Sequence, residues 1–138
     1  MVCEPYIKLR PYGGPDTQQR LYIMTTHHIY TFKNGKRSIQ YNVADVGAIV
    51  KSSDNQTDCM IFFERSQDLI IRVKKERQTL LDLLKLRFNC LNRNVTLRVF
   101  SVSGSQLMIM NRTNSLVNKR QGIFDLPDDS VRLRPEEI

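Results

Sequence analysis

A single long apolar helix signal, ERQTLLDLLKLRFNCLN over Glu76–Asn92, follows an unbroken train of short strand-like runs, and this order constrains the fold more than any motif in the chain. Leu80, Leu84, Phe88 and Leu91 recur at spacings of four, four and three, which places them on one side of a 3.6-residue helix, with Leu81 widening the stripe. That stripe is expected to cap a sheet. Leu83, Leu86 and Cys90 form a second apolar face, so the helix is expected to be covered on two sides, the second by the chain that follows it. The helix start is weakly marked: Lys75 is a poor N-cap, while Thr79 and Asp82 fit a capping-box pattern further in.

The preceding runs alternate as half-buried strands do. Tyr6–Arg10 sets Ile7 and Leu9 against Tyr6, Lys8 and Arg10, and Pro11, Gly13, Gly14 and Pro15 then open a loop. Arg20–Thr26, with Leu21 and Ile23 sharing a face, joins Ile29–Lys33 through a tight turn at His27 and His28. Asn34-Gly35 is the best local turn signal, because both residues accept the positive φ of a type I′ hairpin leading into Ser38–Val43. Ala44-Asp45 turns the chain into Val46–Ser52. Cys59–Phe63 is apolar on both faces, as a strand covered on both sides should be, and Leu69–Val73 completes seven strands before the helix. Beyond it, Asn94–Val102 reads as an eighth strand and Gln106–Met110 as a ninth. From Asn111 the periodicity is lost, so the expected organisation is a domain over 1–110 and an extended C-terminal tail over 111–138.

Composition bounds the function. A chain of 138 residues can bury a core without disulfide staples. Cys3, Cys59 and Cys90 are odd in number and lack metal-ligand spacing, so they read as reduced, mostly buried thiols, with no metal and no cofactor expected. The opening MVCEPYIKLR has no apolar signal core and no window could span a bilayer, so a cytoplasmic protein is expected. The net charge of +7 is uneven: residues 1–53 carry seven basic and three acidic groups, 54–71 one and four, and 72–98 eight and two. Two basic blocks flanking an acidic one suit a phosphate-rich partner. Nucleic acid is disfavoured, since the chain has no tryptophan and its aromatic residues occupy strand positions that the core would claim. No nucleophile elbow, glycine-rich phosphate loop or Cys and His constellation suggests an enzyme.

Seven short strands followed by one amphipathic helix resemble the pleckstrin-homology superfold, a mainly β barrel of two antiparallel sheets with one capping helix, here with one or two extra strands after it. More narrowly, RLYIMTTHHIYTF, SIQYNVADVGAIVKSS, the strand pair around MIFF and LIIRV, RQTLLDLLKLRF and VTLRVF are similar to the tail homology 1 region of class I myosins, over roughly residues 6 to 100. That resemblance implies a non-catalytic adaptor that binds anionic phospholipids, especially phosphoinositides, in a myosin motor or cytoskeletal context. The pocket it implies lies between the first two strands, with Lys8, Arg20 and, beside them, Arg10. Gln18 stands where a further Lys or Arg is usual, and Phe88 takes the place of the usual helix tryptophan. Charge chemistry adds Lys33, Lys36 and Arg37 on the neighbouring hairpin tip as a second wall around a multiply phosphorylated headgroup. The alternative is a scaffold of the same fold that binds a peptide or partner subunit along a sheet edge or beside the helix.

Overall fold

In the computed structural model, which describes residues 1–9, 18–113 and 134–135, the expected strands form β1 (Val2–Lys8), β2 (Arg20–Met24), β3 (His28–Lys33), β4 (Lys36–Asn42), β5 (Val46–Ser52), β6 (Asp58–Phe63) and β7 (Leu69–Val73). Helix α1 (Arg77–Leu91), strand β8 (Val99–Val102), helix α2 (Gly104–Thr113) and the short β9 (Arg134–Pro135) follow. Local chemistry fixes the joints. Asn34 and Gly35 adopt φ values of 52° and 80°, the left-handed pair that a type I′ turn demands. Between β2 and β3, the Thr25 hydroxyl accepts from the His28 backbone N–H at 3.1 Å, which ties the turn that carries the exposed His27. A short 3-10 turn at Val43–Asp45 separates β4 from β5.

The fold is mainly β, and its strands are hydrogen-bonded into one open sheet in the order β4-β3-β2-β1-β7-β6-β5-β8-β9. The reason lies in β1. Its residues Val2–Tyr6 pair with β2 and its residues Tyr6–Lys8 pair with β7, so a single strand joins the β1–β4 meander to the β5–β7 meander. Tyr6 belongs to both ladders, opposite Arg20 on one side and Val73 on the other.

Two apolar clusters lie on the two faces of this sheet. The larger contains Tyr6, Tyr22, Met24, Ile29, Tyr41, Ile49, Ile61, Phe63 and Ile71, closed by Leu80, Leu81, Leu84 and Phe88 of α1. Within it, the rings of Tyr41 and Phe63 stack with centroids 4.4 Å apart. The second cluster holds Leu9, Ala48, Val50, Met60, Phe62, Ile70, Phe100, Val102 and Leu107. All six residues of β6 are buried, as a strand covered on both faces requires. In β2, Leu21 and Ile23 share a face as expected, and it is the half-exposed one, while Tyr22 and Met24 enter the core. Hydrophobicity alone does not choose between two faces that are both apolar.

Three expectations are corrected. α1 is buried on one side only, because Leu86 is 61% exposed and Cys90 is exposed; the following chain adds β8 to the sheet, parallel to β5, instead of covering that second face. Gln106–Met110 is not a strand but part of α2. Ser103 caps that helix, its Oγ accepting from the Gln106 N–H at 3.2 Å, and Asp54 accepts from the Gly104 N–H at 2.7 Å. Of the cysteines only Cys59 is buried, its thiol pushed up to about 12 by burial, whereas Cys3 and Cys90 are exposed.

An ion pair anchors the β5–β6 loop. The Arg72 guanidinium donates to both oxygens of Asp58 at 2.8 and 3.0 Å, and Asn55 and Thr57 donate to the same carboxylate. Burial alone would raise the Asp58 pKa, but the hydrogen bonds from Arg72, Asn55 and Thr57 outweigh it and hold the carboxyl below its ordinary value. Arg77, at the start of α1, donates to the backbone carbonyls of Asn55 and Asp58, which fixes the helix start against this loop. The helix therefore begins at Arg77 and not later, although Glu76 provides no side-chain cap.

Candidate functional site

Strand register decides which of the basic residues meet. Directly opposed residues of an antiparallel pair share a face. Tyr6 faces Arg20, Arg20 faces Lys33, and Lys33 faces Lys36, so one line crosses β1, β2, β3 and β4 at the end of the sheet where the type I′ turn sits. Lys8 lies two residues beyond Tyr6 on the same face. Four of the six expected residues, Lys8, Arg20, Lys33 and Lys36, are thereby gathered on one face at one end.

They are not equally accessible. Arg20 is only 7% exposed, Lys8 and Lys33 are half-buried, and Lys36 is exposed. The buried position of Arg20 puts its charge among core hydroxyls. Burial pushes the Tyr41 phenol up to about 12, with Tyr6 and Asp68 adding to the rise and the Arg20 charge opposing it. Arg20 and Asp68, from the β6–β7 turn, thus act in opposite senses on the same buried phenol.

Arg37 departs from this group. A register shift between Thr31 and Phe32 sets Arg37 opposite Phe32, on the other face of the hairpin, where its guanidinium lies 5.9 Å from the Tyr30 ring centroid. The two faces meet only at the tip, where Lys33, Asn34, Lys36, Arg37 and Ser38 line an open depression of about 390 Å³. Arg10 lies outside the described residues. Sequence reasoning missed Tyr41, whose phenol feels both the Arg20 and the Asp68 charge; no local signal could have found it, since these residues lie far apart in the chain.

A second concavity, of about 290 Å³, lies at the opposite end of β1. Its lining is apolar at Val2, Tyr22, Val73, Leu80 and Leu83 and charged at Glu4, Lys74, Lys75 and Glu76. Tyr22 within it is pushed up to about 12, first by burial and then by the Glu4 carboxylate and the Cys59 and Cys3 thiols. Among the described residues no group of three or more His, Cys, Asp or Glu side chains could hold a metal ion, and no helix is long and apolar enough to cross a membrane. No family model matches the sequence, and no curated protein matches it.

Proposed function

We propose that this chain is a non-catalytic membrane-binding module of pleckstrin-homology-like build, similar to the tail homology 1 region of class I myosins, that recognises anionic phospholipids, phosphoinositides foremost. The observation that carries the reading is the line of cations from Arg20 through Lys33 to Lys36, with Lys8 on the same face. Like charges set directly opposite one another weaken a sheet. A phosphorylated headgroup against the line reverses that sign, because each phosphate oxygen accepts charge-assisted hydrogen bonds from the ammonium groups. The two lysines that flank the turn are the accessible members, and Arg20 reinforces them electrostatically. The module acts in the cytoplasm, at the inner face of a membrane, as an adaptor without a reaction of its own.

The test is sedimentation with phosphatidylcholine vesicles that differ only in phosphoinositide content, at low and physiological salt, for wild type and Lys33→Ala/Lys36→Ala. At roughly 1 kcal/mol per cation near an anionic surface, the double variant binds about thirtyfold more weakly. Absence of wild-type binding at low salt overturns the reading. The apolar groove between β1 and α1 favours a second reading, a scaffold that takes a peptide or partner subunit there. Salt-insensitive partner capture, lost in Leu83→Asp, would support it.

A further inference from the structure

The outward face of β1, β2 and β3 carries more apolar surface than a solvated sheet needs. Register places Pro5, Leu21 and Phe32 in one row, Ile23 and Tyr30 in the next, and Ile7 beside them opposite Arg72. Ile7 is 39% exposed and Pro5 is exposed, while Leu21, Ile23, Tyr30 and Phe32 are half-exposed. None of the six belongs to either core cluster. The same face of β5 and β6 is packed against α2 in the second cluster, so the apolar surface of β1, β2 and β3 continues past the edge of what α2 covers. Contiguous exposed apolar surface marks an interaction site.

We infer that this face enters the headgroup and acyl boundary of an anionic bilayer, as a second contact beside the lysine line; the inference rests on the membrane-binding reading above. The choice of occupant comes from charge. Arg37 stands on this face opposite Phe32, and His28 lies further along β3. The one carboxylate in β1–β4, Glu4, pairs opposite Tyr22 on the other face. A surface of aliphatic and aromatic groups whose charged side chains within β1–β4 are all basic fits the lipid interface, where burial of apolar area and attraction to anionic headgroups add. Tyr30, amphipathic and capped by the Arg37 guanidinium, is the residue type that settles at that depth. A second copy fits poorly, because the contact would join two chains of net charge +7 through faces bearing only basic groups.

The chain has no tryptophan, so a single one can be introduced as a depth reporter. Phe32→Trp and, on the neighbouring strand, Ile23→Trp report on this face, and Leu86→Trp reports on the exposed side of α1. Each is mixed with phosphoinositide vesicles whose acyl chains are brominated, while sedimentation is followed in parallel. Both sheet reporters are expected to shift to the blue and lose most of their emission, and Leu86→Trp is expected to do neither. If the variants sediment with vesicles but neither sheet reporter is quenched, the inference falls and the headgroup reading stands. If wild type does not sediment, both fall. A blue shift that grows with protein concentration in the absence of lipid would assign the face to a second copy and overturn the inference.

Discussion

The one-sided burial of α1 can be tested by two leucines a half-turn apart. Leu84 is fully buried against the main cluster, whereas Leu86 is 61% exposed. Removing a fully enclosed leucine side chain leaves a cavity, and Leu84→Ala should cost about 3.5 kcal/mol. With a urea m-value of roughly 1.5 kcal/mol/M, that lowers the unfolding midpoint by about 2 M. Leu86 has roughly two-fifths of its surface covered, so its truncation forfeits about 0.8 kcal/mol of transfer energy. Alanine's better helix propensity returns a few tenths of that, leaving a loss near 0.5 kcal/mol and a midpoint shift of about 0.3 M. The assay is equilibrium urea unfolding followed by circular dichroism, with the m-value compared between variants. A cost for Leu86→Ala as large as that for Leu84→Ala would refute the reasoning, since it would mean that the second face of α1 is covered after all.

Two other outcomes follow from local structure. Gly35→Ala should destabilise by about 1 kcal/mol in the same unfolding assay: an added Cβ meets nothing within 4 Å, so the cost is that of holding a side chain at φ +80°. Asp58 titrates below its ordinary value when folded, so its contribution is present above about pH 4 and is lost as pH falls through the folded pKa; Asp58→Asn should therefore be less stable than wild type at neutral pH and show a flatter acid limb, and an unchanged acid limb would count against the ion pair.

Much of the sheet was legible because its punctuation is strong. β5 and β7 match their expected limits, and the Asn34-Gly35 turn has the dihedral angles its residues favour. The leucine stripe named the right core residues, apart from Leu91, which is only partly buried. What failed was a choice between alternatives that local sequence leaves equal. QLMIM is too short for periodicity to separate strand from helix. The overlooked signal was upstream, in Ser103-Gly-Ser-Gln106, a capping pattern that the hydroxyl of Ser103 fulfils. For the basic residues, composition named the candidates but could not sort them. A register shift at Thr31/Phe32 decides that Lys36, and not Arg37, shares the face of Lys33, and burial withdraws Arg20 from the surface. Such facts belong to pairing between strands, which no single segment encodes.

The double duty of β1 has a consequence for how the chain becomes a folded molecule. β2, β3 and β4 can assemble from neighbours in sequence, and so can β5, β6 and β7, each through short hairpins that close quickly. Tyr6 and Lys8 must wait for Val73 and Ile71, from a strand more than sixty residues later in the chain. On a translating ribosome β1 emerges first yet cannot complete its pairing until β7 has emerged. Of the joints in the sheet, the seam between the two meanders therefore has the longest wait between its two strands during synthesis, and it is the place where a nascent chain would stay open longest to a chaperone or to a neighbouring copy.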